Sequence, residues 1–197
     1  MEKKTYHHKD LKNELIEKGI ELVNESGLNQ LSLRKVAQAC NVSHAAPYSH
    51  FKNKEELFEA MQLFITEQFS NMLEEVIAVY KDKPNFLLEF GKAYIKFFME
   101  KPQYFTFLFQ HGKNIQINLD INDENEKNYK PFVIYKEQIL NMLAHSNMSL
   151  NQKEDWMIAL FGYIHGLASL ATMENVHYTM GWENKLEDLI SIFTVEF

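Results

Sequence analysis

Apolar residues return at helical spacing along nearly the whole chain, and no stretch sustains a period-two alternation with turn dipeptides between runs. The pattern therefore predicts an all-α fold of about nine helices. Leu11, Leu15, Ile16, Ile20, Leu22 and Val23 mark a first helix over residues 10–26, with Gly27 suited to the left-handed position that closes it. A short second helix is capped by Ser32 and striped by Leu33, Val36, Ala37 and Cys40, until Asn41-Val42 breaks the pattern. Ser43 opens a third short helix to about residue 51, in which Pro47 removes only the first intrahelical bond. Asn53 with Glu56 reads as a variant capping box. It starts a long helix whose stripe runs from Leu57 through Met61, Ile65 and Phe69 to Tyr80, and Pro84 ends it.

The remaining helices are expected over residues 85–100, 103–109, 131–145, 151–176 and 182–197. Pro102 and Pro131 open two of them, Asn151 with Glu154 begins the fourth, and Leu186, Leu189, Ile190 and Phe193 stripe the last. Residues 111–130 are rich in Asn, Asp, Glu and Lys and read as a long surface loop with no chemistry that can be named. There is no internal repeat and no low-complexity run.

Composition narrows the class without changing this picture. At 197 residues, 46% hydrophobic, the chain can bury a core of one average domain or two small ones, so disorder is excluded. A single cysteine, Cys40, cannot make an internal disulfide and is expected in the core. The basic residues at the start have no apolar stretch behind them, so a cytoplasmic setting is expected. Residues 156–172 are the only membrane candidate; they fall short of the roughly 20 apolar residues needed and carry Tyr163, His165 and two glycines, which favours a buried helix.

Charge is unevenly placed. Residues 1–54 hold 9 Lys or Arg against 6 Asp or Glu, whereas the rest hold 11 against 21, a net of −10. Within the basic part, residues 32–51 have the plan of a helix-turn-helix, with small Ala37 where two helices cross and Val42 facing inward from the turn. Arg34 and Lys35 on the first helix, Ser43, His44, Ser49 and His50 on the second, then Lys52 and Lys54, could neutralise phosphates on both sides of a groove. His44 and His50 stand six apart, off a common helical face, so no metal site is expected.

The run Leu31-Ser32-Leu33-Arg34-Lys35-Val36-Ala37, followed by the segment from Val42 through Tyr48, Phe51 and Lys54 to Leu57, resembles the DNA-binding domain of the TetR family of bacterial transcriptional regulators. The resemblance implies a DNA-binding domain over residues 9–68 and an effector-binding and dimerisation domain over residues 69–197. It places Tyr48, His50 and Lys54 on phosphates, and Arg34, Ser43, His44, Ala45, Ala46 and Ser49 toward base edges, with Ser32 and Lys35 in the same DNA-binding set. Arg34 is the only arginine in the chain and so the only bidentate reader of guanine available. Farther on, Gly91 to Phe98, Lys101 to Phe109 and Ile164-His165-Gly166 look like the ligand-sensing domain of a subgroup marked by a Trp-His-Gly signature, with Ile164 departing at its first position.

By the same resemblance, a hydrophobic effector pocket is expected among Phe90, Tyr94, Phe98, Phe109, Tyr135 and His165, although most aromatic mass must be ordinary core. Gly162 and Gly166, four apart, are expected to allow close helix packing. The last two helices resemble the family's dimerisation surface, so a homodimer is expected on double-stranded operator DNA, repressing transcription until an unidentified small effector releases it. No cofactor is implied. The chain has no phosphate-binding Gly-Lys-Ser/Thr loop, no His-Glu-x-x-His and no nucleophile elbow, so an enzyme is not expected. The rival reading is a helical carrier of a hydrophobic molecule that does not bind DNA; the helix-turn-helix counts against it.

Overall fold

In a computed structural model, described for residues 11–112, 115–122 and 128–192, the chain is built of helices and holds no strand among those residues. There are eight α-helices among the described residues: α1 Leu11–Ser26, α2 Leu33–Ala39, α3 Lys54–Tyr80, α4 Phe86–Glu100, α5 Pro102–Thr106, α6 Lys130–Met142, α7 Leu150–Thr172 and α8 Leu186–Ser191. The ninth expected segment, after Ser43, is a single 3-10 turn over Ala46–Ser49. Pro47 inside it supplies no N–H, and the bonds Ala46 N to Ser43 O and Tyr48 N to Ala45 O are of the tight i→i+3 kind. Residues 193–197 of the expected last helix, and parts of the 111–130 loop, lie outside the described residues.

The chain divides into two compact units. One holds the chain up to Ile65 together with Thr106–Gly112; the other holds Thr66–Phe105 and the chain from Lys113 on.

In the first unit, Leu15, Ile20 and Val23 of α1 are buried against α2, whose own buried side is Leu33, Val36 and Ala37. Gly19 of α1 lets α3 come close, because a Cβ there would stand 2.6 Å from Met61 Sδ. Gly27 ends α1 with φ 80° and ψ 158°. That is a conformation essentially reserved for glycine, but it is the extended positive-φ region and not the helical left-handed one the sequence suggested. The five-residue π-helical turn Phe107–His111 contributes Phe107, whose ring lies 5.0 Å from that of Phe58.

In the second unit, α4 packs along α7 and against α8. Gly91 sits where the three meet, since a Cβ there would lie 3.1 Å from Ile164 and 3.3 Å from Ile190. Phe69 anchors an aromatic cluster, its ring 4.8–5.0 Å from those of Tyr94, Phe97 and Phe98. Rings at these separations add attraction beyond the area they bury. α7 starts two residues earlier than expected: Ser149 accepts from Gln152 N–H and Gln152 accepts from Ser149 N–H, a complete capping box that replaces the expected Asn151 and Glu154 pair. Glu154 instead accepts from the Ile121 N–H at 2.8 Å. Gly162 and Gly166 have open space at their missing Cβ positions, so no helix among the described residues packs close there, contrary to the expectation from their spacing.

Candidate functional site

The helix-turn-helix is held from inside by apolar side chains and by its turn. α2 ends in a Schellman motif: Val42 N–H reaches Ala37 O at 3.0 Å and Asn41 N–H reaches Gln38 O at 3.0 Å, with Asn41 at φ 54°. Asparagine tolerates this left-handed position better than most side chains. Val42 is thereby turned inward and Ser43 outward. Leu33, Val36, Ala37, Cys40, Pro47, Phe51 and Leu57 are buried. The Cys40 thiol lies 3.7 Å from Glu14 O, and burial, with the nearby Glu14 carboxylate, pushes its pKa up to about 11.

What remains outside is polar or small. Arg34, Lys35, Ser43, His44, Ala45, Tyr48 and Ser49 are exposed, and Ala46 and His50 half-buried. Tyr48 is 55% exposed while Phe51, three residues on, is 2% exposed. Several of these side chains have local duties as well. Ser32 caps α2 by accepting from Lys35 N–H at 3.2 Å; Lys35 Nζ donates to Gln30; Ser49 donates to Ala46 O. His50 lies beside Phe51 with ring centroids 6.2 Å apart. Lys54 Nζ donates to Leu28 O at 2.7 Å, tying the start of α3 to the turn after α1. Asn53 accepts from Glu56 N–H, and Glu56 reaches back to Lys52 N–H, a capping box displaced by one residue.

In the second unit, Phe90, Tyr94 and Tyr135 line a void of about 20 Å³ with Leu87, Gly91 and Phe161. That volume holds roughly one water and is far below the several hundred Å³ of a ligand pocket. Tyr94 shares a 2.8 Å hydrogen bond with His165 Nδ1, and Tyr135 donates to Met157 O at 2.6 Å. Burial lowers the His165 pKa and raises those of Tyr94 and Tyr135, so the neutral forms prevail near neutral pH. Phe98 is fully buried against Phe105 and Phe69, and Phe109 lies on the Phe107–His111 turn of the first unit. Sequence reasoning missed Phe161, whose ring stacks on His165 at 5.6 Å. Its position one helical turn before His165 was the available signal.

Among the described residues no group of three His, Cys, Asp or Glu side chains could hold a metal ion, and no helix is long and apolar enough to cross a membrane.

Residues 15–61 match the family model of bacterial regulatory proteins, tetR family. Over 145 residues the chain is 24% identical to IcaR, the negative transcriptional regulator of the icaADBC biofilm operon in Staphylococcus epidermidis, covering 68% of this chain and 78% of that protein. Over 65 residues it is 37% identical to the class G tetracycline repressor of Vibrio anguillarum, covering 32% of this chain and 31% of the repressor. A TetR-family regulator of known structure from Haemophilus influenzae superposes with a TM-score of 0.66 at 22% identity, covering 94% of each chain. Residues 15–61, which hold the helix-turn-helix, are thus similar to the DNA-binding part of tetR-family regulators, and the chain shares its all-helical fold with TetR-family regulators of known structure.

Proposed function

We propose that the chain is a homodimeric repressor, acting in the cytoplasm, that leaves its operator when a small hydrophobic effector enters the second unit. The observation that carries the reading is the sorting of residues 32–54, in which Leu33, Val36, Ala37, Cys40, Pro47 and Phe51 are buried and Arg34, Ser43, His44, Tyr48 and Ser49 are exposed around the turn. On this reading Arg34 meets a guanine edge, Ser43, His44 and Ser49 meet polar base edges, and Ala45 and Ala46 meet thymine methyls. Lys35, Tyr48, His50 and Lys54 hold phosphates, with Ser32 presenting the helix start. An ammonium has three donors, so Lys54 can keep its bond to Leu28 O while contacting DNA.

Similarity to a negative regulator and to a repressor supports repression as the sign of control. Pairing through the last two helices is supported by the open positions at Gly162 and Gly166 on α7 and by Ile192, 61% exposed just after α8. The His165-Gly166 pair supports placement in the Trp-His-Gly subgroup, with Ile164 in the tryptophan position. Effector entry would act by favouring a separation of the two reading surfaces that misfits half-sites about one DNA turn apart.

The test is selection of genomic fragments, including the DNA upstream of the chain's own coding region, by the purified protein with nonspecific competitor at two salt concentrations. A specific, salt-sensitive complex of one dimer supports the reading. Binding that competitor abolishes on every fragment favours the carrier reading.

A further inference from the structure

Within the second unit, the C-terminal end of α3, the turn into α4 and the last turns of α6 enclose an open cleft of about 540 Å³. That is the size of a small-molecule site, whereas the aromatic void described above is some twenty-five times smaller. The cleft has two kinds of wall. Lys81, Lys83, Gln138 and Asn141 supply polar groups, and Phe86, Leu87 and Met142 supply an apolar floor. Asp82 is the one carboxylate in the lining, so the cleft carries a net positive charge in a part of the chain that is otherwise strongly acidic.

The polar groups are uncommitted. Among the described residues, the side chains of Lys81, Gln138 and Asn141 make no hydrogen bond or ion pair, and the Lys83 ammonium stands over the Tyr80 ring at 4.7 Å without a carboxylate partner. Leu87 links the two spaces. It is half-buried and lines both the cleft and the aromatic void, the one residue common to the two linings. Behind it, Phe90 and Tyr94 continue along the same face of α4, and Tyr135 stands one turn from Gln138 on α6.

A purely apolar ligand would leave the two lysines unpaired, and a purely ionic one would leave Leu87 and Met142 in water. We infer that this site takes a single-chain amphiphile with an anionic end group: the anion sits among Lys81, Lys83, Gln138 and Asn141, and the chain passes Leu87 into the aromatic interior toward Tyr94 and Tyr135. The inference rests on the effector reading proposed above and gives that effector its chemical class. Because the void itself has a volume of only about 20 Å³, the chain enters by displacing Leu87 and the rings of Phe90 and Phe161. These lie on α4 and α7, so occupancy is coupled to the spacing of those helices.

The experiment titrates the intact protein with the fluorescent probe dansylaminoundecanoate and with its uncharged methyl ester. The acid is expected to bind about tenfold more tightly than the ester, and to lose that advantage as salt rises from about 0.1 M to about 1 M, where the Debye length falls from ~10 Å to ~3 Å. K81A/K83A should bring the acid to the ester's affinity and leave the ester unchanged. Leu87→Trp should weaken both by about tenfold, read on protein whose far-ultraviolet circular dichroism and melting match the parent; Asn141→Asp, at an exposed position, should weaken the acid alone. Competition by dodecanoate and by dodecyl phosphate tells which anion is preferred. Equal binding of acid and ester, or an acid affinity unchanged in K81A/K83A, overturns the inference. Probe binding that follows these rules without releasing operator DNA overturns the effector step of the proposed function and leaves the site standing. A molecule that releases DNA with unchanged potency in K81A/K83A and Leu87→Trp overturns the site and leaves the effector step standing.

Discussion

The Tyr94 hydroxyl stands 2.8 Å from Nδ1 of His165, a hydrogen bond that ties α4 to α7 inside the aromatic cluster. Phe105 and Phe161 lie over the same imidazole, with centroids at 5.0 Å and 5.6 Å, and burial lowers its pKa. The unfolded chain therefore takes up this proton first as the pH falls below about 6.5. Stability is fully present above that pH, declines as the pH falls toward the folded pKa, and levels off below it. Urea midpoints measured against pH should show this decline in the parent and a shallower one in His165→Gln, which keeps a polar group without the charge. Identical slopes would assign the acid sensitivity to other groups.

Ser32 has a capping duty that can be separated from any role on DNA. Its hydroxyl accepts the Lys35 N–H at 3.2 Å, so Ser32→Ala should cost about 1 kcal/mol. Ser32→Asp keeps the cap and suits the helix dipole, but sets a carboxylate toward phosphates. Denaturant melts should find Ser32→Asp as stable as the parent, while DNA binding weakens by about tenfold. Unchanged DNA affinity would remove Ser32 from the reading surface.

Two backbone positions fix the turns around α2. Gly27 at φ 80°, ψ 158° meets nothing within 4 Å at its missing Cβ, so Gly27→Ala should destabilise through the backbone alone, by about 1–3 kcal/mol. Asn41 at φ 54° should accept glycine with little change and lose about 1 kcal/mol as alanine. Thermal melts of the three variants give the comparison; a neutral Gly27→Ala would contradict the stated geometry.

Cys40 should be a slow thiol. Buried beneath α1 and with its pKa pushed up to about 11, it carries almost no thiolate near pH 8. Reaction with a chromogenic disulfide should be slow in the folded protein and fast in denaturant, whereas a free-cysteine rate in native buffer would place the residue at the surface.

Much of this was legible in the sequence, for physical reasons that differ by element. Long helices such as α3 and α7 carry many turns of stripe, so their existence is over-determined. The segment after Ser43 is too short for periodicity to separate an α-helix from one 3-10 turn, and there Pro47 decided the outcome. The start of α7 was misread because Ser149 and Asn151 both precede a suitable acceptor; Glu154 was already occupied by the Ile121 N–H. Burial of Phe51 and exposure of Tyr48 followed from their different chemistry. The cleft of Lys81, Gln138 and Asn141 could not be read in advance, because it joins residues sixty apart whose types are those of any solvated face.

The central claim is that the exposed face of residues 32–54 reads DNA, and the most direct measurement is fluorescence anisotropy of a selected operator with the parent and with Arg34→Ala at matched salt. Arg34 is exposed and α2 is held by buried Leu33, Val36 and Ala37, so the variant should melt like the parent. The account predicts that affinity for the operator falls by about 1–3 kcal/mol while binding to unrelated DNA changes little. Equal operator affinity in the two proteins would contradict it.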